Sequence, residues 1–401
     1  MIYGRFKDLE LSSLGFGLMR LPETEPNGPI DEKRATEMVD YAYEHGVNYF
    51  DTAYFYHAGE SQKFIGKALS RYPRDSFYLA NKFPGNFVSI VDGAYKLELG
   101  GFKMKDSVYS SAAELFERQL EHCGVDYFDF YMLHNLAEST YDLYTDEDLG
   151  IVDYLLEEKK KGRIRHFGFS SHGRPETIER FLNWRDCFEY AQIQLNYLDW
   201  SLQDADKKYE ILTERGVPVI VMEPVRGGKL TNPGQDAAAL LKAARPNDTP
   251  AVWAFRFLQS LPNIPVVLSG MSTMEQLKEN IEIFGRIEPI TDSEKGVLQR
   301  VVGTMSEFVP CTACRYCCGV CPQTLDIPLL LSTYNEAFYD DVLDSKVSWY
   351  VDDLMSALSD DEKPHACTAC GTCGPVCPQN IDISGALAKF AALLAKKEEP
   401  Q

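Results

Sequence analysis

Eight cysteines near the end of the chain fall into two copies of one pattern. Cys311, Cys314, Cys317 and Cys321 precede Pro322, and Cys367, Cys370, Cys373 and Cys377 precede Pro378. Each copy reads C-x-x-C-x-x-C-x-x-x-C-P, a spacing that holds [4Fe–4S] cubanes in pairs. Three thiolates two residues apart reach three corners of one cube. The fourth, after a wider step and beside a proline, points toward the other cube. The expected ligand sets are therefore Cys311, Cys314, Cys317 and Cys377 for one cluster, and Cys367, Cys370, Cys373 and Cys321 for the other. The duplication runs past the thiols, CPQTLDIP at 321–328 matching CPQNIDIS at 377–384. Structural zinc is the weaker alternative, because it takes two C-x-x-C pairs and leaves a third cysteine at the same step without a tetrahedral place. Disulfides need an oxidising compartment, and the opening MIYGRFKDLE lacks the apolar stretch of a secretory signal. Cys318, adjacent to Cys317, is a spare thiol in this scheme.

A second set of reactive side chains is spread through the first part of the chain. Asp51 ends the apolar run VNYFD, Tyr56 follows five residues on, Lys82 lies in YLANKF and His134 in FDFYMLHN. A tyrosine titrating near its ordinary value of about 10 is a weak acid at neutral pH. A neighbouring lysine cation lowers that value, and an aspartate keeps the lysine charged and oriented. A histidine donates to a carbonyl oxygen or shares the proton. The four together suit protonation of an alkoxide as hydride reaches its carbon, a general-acid reaction. Singly, each has a plain structural role: Asp51 a helix cap, Tyr56 packing, Lys82 a solvated charge, His134 a hydrogen-bonded core residue. Their order behind successive apolar runs favours the joint reading.

The elements that must position them are legible as a repeat. LGFGL (14–18), VNYF (47–50), FYLA (77–80), YFDFYML (127–133), IRHFGF (164–169), YAQIQ (190–194), VPVIV (217–221) and IPVVL (264–268) are expected strands, separated by amphipathic helical stretches. Nearly continuous apolar strands alternating with helices imply a parallel sheet covered on its faces. Eight such units predict an α/β fold, a closed (β/α)8 barrel whose reactive groups sit at the carboxyl ends of the strands. An open doubly wound sheet is the alternative, and the absence of G-x-G-x-x-G after the first strand counts against it. The 401-residue chain is 45% hydrophobic, enough for a sizeable core, and no stretch approaches the length of a membrane span. Its net charge of −20 argues against nucleic acid or an anionic membrane as partner. Eleven cysteines without an export signal fit metal binding in a reducing cytoplasm.

FDTAYFYHAGESQKFIGKAL, YLANKF, FDFYMLHN, IRHFGFSS and LSGMSTMEQLKENI together resemble the aldo/keto reductase family over about residues 1–285, and the whole chain resembles the oxidoreductases of that kind that carry a C-terminal ferredoxin-type domain. The resemblance implies Tyr56 as acid/base supported by Asp51, Lys82 and His134. It also implies a nicotinamide cofactor, NADP(H) or NAD(H), stretched across the barrel mouth. Matched motif by motif, Ser170, Ser171 and Gln192 fall near the carboxamide. Pro224 to Gly228, including Gly227, run along the pyrophosphate, with Ser269 and Gly270 nearby and Glu279 and Asn280 at the adenine. Met222 stands where the family often stacks a tyrosine, and Ser171 where asparagine is common. Gln276 stands where it often places an arginine, and no basic residue lies between Leu268 and Leu277, so the grip on a 2′-phosphate is open; Arg226 or Lys229 could compensate.

The connection from Pro84 to Lys105 is long for a loop, and Phe87, Tyr95, Gly100, Gly101 and Phe102 make it a candidate lid or a surface insert. The expected domains are the barrel at 1–288, a connecting helix at 289–306, and a mostly helical two-cluster ferredoxin-like domain at 307–401. Within that domain helices are expected over 329–343, 347–359 and 385–399. Hydride chemistry and single-electron chemistry couple only through a flavin or an equivalent relay. Three functions follow. The first is an oxidoreductase acting on a small carbonyl or alcohol and exchanging electrons with a ferredoxin, a flavodoxin or another redox carrier. The second is an ordinary NAD(P)H-dependent carbonyl reductase whose tail is structural or a docking surface. The third is a non-enzymatic nucleotide sensor, which would have no need of the acid.

Overall fold

The computed structural model describes residues 1–25, 28–85, 88–91, 93–97, 108–137, 140–305, 309, 311, 315–342, 351, 355, 358–377, 379 and 381–398. Eight parallel strands close a barrel: β1 (Leu14–Gly17), β2 (Tyr49–Asp51), β3 (Tyr78–Phe83), β4 (Phe128–Leu136), β5 (Ile164–Ser171), β6 (Ala191–Gln194), β7 (Val219–Met222) and β8 (Val266–Gly270). Each pairs with the next, and β8 returns to β1. All eight coincide with the apolar runs expected to form strands. The runs are apolar on both faces because one face fills the barrel and the other meets the helices.

Register sets the layer in which the reactive groups lie. Gly17 is opposite both Asp51 and Gly270, Asp51 is opposite Ala80, and Ser170 is opposite Gln192. At the amino end an antiparallel hairpin, Tyr3–Phe6 with Leu9–Ser12, closes the barrel floor. Its Phe6 ring meets Phe130 edge-on at 5.2 Å and His166 at 5.0 Å.

Around the barrel lie α1 (Glu32–Glu44), α2 (Glu60–Leu69), α3 (Ala112–Cys123), α4 (Ile151–Lys160), α5 (Pro175–Trp184), α6 (Ala205–Glu214), α7 (Pro250–Gln259) and α8 (Met274–Ile283). Asp31 starts α1 by accepting from the Arg34 N–H at 3.1 Å, and Thr273 with Gln276 forms a capping box on α8. A Cβ on Gly66 would come within 2.3 Å of the Cys123 carbonyl oxygen, so only glycine lets α2 approach the end of α3 that closely.

The long connection from Pro84 to Lys105 holds strands Val88–Val91 and Ala94–Leu97, paired antiparallel, and Ala94–Leu97 pairs in turn with Val108–Tyr109 just beyond it. Tyr95 is buried, its ring edge-on to Phe83 with ring centres 6.5 Å apart. The other proposed lid residues, Phe87, Gly100, Gly101 and Phe102, lie outside the described residues.

The chain divides into two compact units: residues 1–228 with 251–290, and residues 229–250 with 291–401. The second therefore takes in a segment that the expected boundary at 288 left with the barrel. The reason is local. Helix Gln235–Ala244 packs on α9 (Asp292–Thr304), and Arg245 meets Glu294 at 3.3 Å. Beyond α9, the helices α10 (Ile327–Val342) and α11 (Ile383–Glu398) bury Leu330, Leu331, Tyr334, Leu387 and Phe390 in a core of their own. The helix expected over 347–359 falls mostly outside the described residues.

Candidate active site and cysteine cavities

Lys82 projects into the barrel from β3 and is fully buried. Its ammonium donates to Asp51 Oδ1 at 2.5 Å and to the Thr52 carbonyl oxygen at 2.8 Å. It also lies 4.8 Å from the centre of the Tyr56 ring. The strand around it is held by a buried amide network. Asn81 Oδ1 accepts from Gln62 Nε2 and from the Lys82 N–H, and Gln119 Nε2 donates to the Lys82 carbonyl oxygen at 2.9 Å. The Tyr131 hydroxyl donates to Gln119 Oε1 at 2.5 Å. His134, at the end of β4, sets its ring edge-on to Tyr56 at 6.3 Å. The four residues singled out from the sequence thus converge at the barrel mouth.

Electrostatics refine the expectation for Tyr56. Burial pushes its hydroxyl above the ordinary tyrosine value, and the Lys82 cation pulls the other way without overcoming it. Burial also works against the Lys82 ammonium, but Asp51 and Tyr56 outweigh it and the cation is held above its usual range. Burial, then the Lys82 charge, drives His134 well below its ordinary value of 6.5, so its imidazole is neutral at pH 7. The mouth presents a protonated phenol, a fixed ammonium and a neutral imidazole within one small space. That set can hand a proton to a developing alkoxide.

At the ends of β5 and β6, Ser170 Oγ accepts from the Asn135 N–H at 2.9 Å and keeps its own proton to donate. Gln192 is buried; its Nε2 faces Met222 Sδ at 3.7 Å, while its Oε1 has no hydrogen-bond partner. Ser171 differs: its hydroxyl donates to the Leu136 carbonyl oxygen at 2.6 Å and accepts from the Gly173 N–H, which commits it to the loop. After β7, Glu223, Arg226, Gly227 and Gly228 all have positive φ, so the backbone of the Pro224–Gly228 stretch curls on itself. Arg226 is engaged by the buried Asp199, with Nε 3.3 Å from Oδ1. Asp199 is in turn held by Gln194 and Asn196 at 2.8 and 2.6 Å. After β8, Asn280 Nδ2 donates to Ser269 Oγ at 3.0 Å, both buried, and Gly270 is exposed. Glu279 is half-buried on α8. Gln276 Oε1 accepts from the Ser272 and Thr273 N–H groups, so the side chain at the usual arginine position closes a helix start instead.

In the second unit the cysteines line two small hollows. Cys311, Cys317 and Cys377 line the first; Cys314, expected as its fourth ligand, lies outside the described residues. Cys321, Cys367, Cys370 and Cys373 line the second. Each hollow thus takes its last cysteine from the other run. Cys318 lines neither. Among the described residues no three His, Cys, Asp or Glu side chains gather closely enough for a single ion. Leu331, Ile381 and Ile383 wall the first hollow; Leu325, Ile327 and Leu387 wall the second.

The sequence reading missed the amide network behind Lys82, the Asp199 anchor of Arg226 and the side chain that follows β1, Arg20. Applying the strand-end rule to β1 as it was applied to β2, β3 and β4 finds the last of these.

Residues 13–301 match the aldo/keto reductase family, and residues 310–382 match the 4Fe-4S dicluster domain. Among known proteins, the uncharacterized oxidoreductase YqkF of Bacillus subtilis (strain 168) is 26% identical over 315 residues, covering 73% of this chain and 93% of that protein. L-galactose dehydrogenase of Arabidopsis thaliana is 27% identical over 299 residues, covering 70% and 87%. Among solved structures, the holo form of the aldo-keto reductase AKR11C1 from Bacillus halodurans superposes with a TM-score of 0.58 at 28% identity, covering 75% of this chain and 95% of that one.

Proposed function

This chain belongs to the aldo/keto reductase family, and from that premise we propose that its barrel interconverts small carbonyls and alcohols with a nicotinamide cofactor while its tail carries two [4Fe–4S] clusters. The observation that carries the barrel half is the buried Lys82–Asp51 pair set against Tyr56. A nicotinamide, when bound, supplies or accepts the hydride. The residues present fit it: Gln192 Oε1, buried without a partner, can accept from a carboxamide N–H, and Ser170 can donate to the carboxamide oxygen. Tyr56 then gives its proton to the carbonyl oxygen as negative charge develops there. Lys82 stabilises the phenolate that remains, and Asp51 fixes the ammonium in place. His134, neutral, orients the carbonyl through a single N–H. Burial of Lys82 and Asp51 strengthens each of these interactions by excluding water.

The tail half rests on the two thiol-lined hollows with exchanged cysteines. Iron–sulfur clusters, when bound, supply one-electron steps, and a ferredoxin- or flavodoxin-type carrier is the partner they call for. Anaerobic purification tests both halves together. About eight iron and eight sulfide per chain are expected, with saturable binding of NADH or NADPH and an absorption spectrum that registers any flavin relay. Zinc in place of iron would overturn the tail reading, and a barrel that binds neither nucleotide would overturn the other.

A further inference from the structure

The turn that carries Tyr56 is strained, and its contacts identify what holds it. Three successive residues after the tyrosine, His57, Ala58 and Gly59, have φ of 51°, 53° and 92°. Only glycine adopts that left-handed region freely, so the other two persist where surrounding contacts over-determine them. Backbone bonds close the turn on itself: the Tyr56 N–H donates to the Ala53 carbonyl oxygen at 3.2 Å and the Ala58 N–H to that of Phe55 at 3.1 Å. Neither reaches beyond the turn, and Gly59 starts α2 without a side-chain cap.

The contact that does reach beyond it comes from His57, whose side chain is only 6% exposed. Its Nε2 accepts from the Leu21 N–H at 3.1 Å, and its Nδ1 faces Glu23 Oε1 at 3.4 Å, both in the segment that follows β1. A ring nitrogen that accepts from a backbone N–H carries no proton, so the ring is neutral with its hydrogen on Nδ1, turned toward the carboxylate. Burial, partly offset by Glu23, holds the ring below its ordinary 6.5 and preserves this arrangement at pH 7. A parallel tie steadies Lys82. Ser61 Oγ donates to the Leu18 carbonyl oxygen at 3.3 Å and meets Thr52 Oγ1 at 2.9 Å, and the Thr52 carbonyl oxygen accepts from the ammonium. The base of the site is thus braced through Thr52, while Tyr56 itself stands on the strained turn.

We propose that His57 is the positioning residue of the acid: by pinning the left-handed turn to Leu21 and Glu23, it sets the Tyr56 hydroxyl where the proton is handed over. The assignment rests on the role of Tyr56 given above and adds to it a residue outside the four. Proton transfer needs heavy atoms about 2.6–3.2 Å apart, and a displacement of about 1 Å costs about a hundredfold in rate.

The test is steady-state reduction of an aldehyde by full-length protein, with NADH and NADPH titrations and a melting curve for every variant. His57→Ala is expected to lower kcat about ten- to a hundredfold, with the Kd of the nucleotide unchanged. His57→Gln, whose Oε1 can take the Leu21 N–H, should recover most of the rate. His57→Asn, which accepts the left-handed backbone readily but ends short of the Nε2 position, should not. In a Tyr56→Phe background His57→Ala should cost nothing further, because a residue acting through the hydroxyl then has nothing to position. Native kcat in His57→Ala overturns the assignment. So does a loss that glutamine fails to relieve, or that asparagine relieves equally well, which would leave backbone strain as the whole effect. A full additional loss in the Tyr56→Phe background overturns it too, as does a fall in kcat matched by weaker nucleotide binding. If Tyr56→Phe alone reduces the aldehyde as fast as the native chain, it is the acid role of the tyrosine that falls.

Discussion

In the barrel, the reactive groups come from three successive strand ends well separated in sequence and are held in place by the protein itself: Lys82 donates to Asp51 and to the Thr52 carbonyl oxygen, and the amides of Gln62, Asn81 and Gln119 hold the strand beneath. In the tail, each run of cysteines is local, spanning 311–321 or 367–377, and its thiols face apolar walls around a hollow. The contrast separates two ways of building a redox site. The barrel is organised before any ligand arrives, so one functional atom can be removed with the frame left standing. The tail depends on the ligand for its cross-links, because its own core is small and metal binding there contributes folding energy.

The largest expected effect removes a single oxygen from the organised site. Tyr56→Phe should lower the rate of carbonyl reduction by about 10²- to 10⁴-fold, the usual worth of a positioned acid. Thermal stability and nucleotide affinity should barely move, because the Lys82–Asp51 pair beneath is untouched. Steady-state kinetics on an aldehyde, paired with a melting curve, checks both arms. Undiminished turnover would break the proposed role of the tyrosine, and a large drop in melting temperature would break the claim that frame and function separate here.

A smaller effect sharpens the other side of the contrast. Cys373→Ser should reduce iron from about eight to about four per chain and open the tail to proteolysis, while the barrel keeps its nucleotide affinity. Cys318→Ser, altering a thiol that lines neither hollow, should retain the full iron content. Loss of iron in Cys318→Ser with retention in Cys373→Ser would reverse the ligand assignment.

The same contrast governs what could be read from the chain. All eight strands were legible because a barrel strand is apolar on both faces and shows as an unbroken run, as in Val219–Met222. The cysteine pattern was legible because its geometry is set by local spacing. Less legible were features in which a residue is spent on an unforeseen neighbour. Gln276 caps α8, Arg226 pairs with Asp199, and Ser171 ties down the Leu136 loop. The last two pairings join loops whose proximity only the closed barrel reveals, whereas the first is a local capping box. The strands at 88–91, 94–97 and 108–109 are too short and half-exposed to leave a periodic signal. The titration of Tyr56 was anticipated from the Lys82 charge alone, whereas its burial turns out to be the larger influence.

Acid should attack the two regions through different protons, and this is the mildest of the expected effects. Burial holds His134 well below 6.5 in the folded barrel, so as pH falls the unfolded chain takes up that proton first. Stability is therefore complete above about pH 6.5 and declines as pH drops below it, at up to about 1.4 kcal/mol per pH unit for a fully buried histidine. Partial exposure of His134 moderates the shift and so narrows the pH window over which this stability is lost. In the tail, acid acts by protonating thiolates and releasing iron. Urea unfolding of the barrel between pH 7.5 and 5.5, followed by far-ultraviolet circular dichroism, should show a gentler slope in His134→Gln than in the native chain. Visible absorption of the clusters over the same range should be identical in the two. An equal change in both signals would mean that the barrel and the cysteine tail do not titrate independently, and the separation drawn between them would fail.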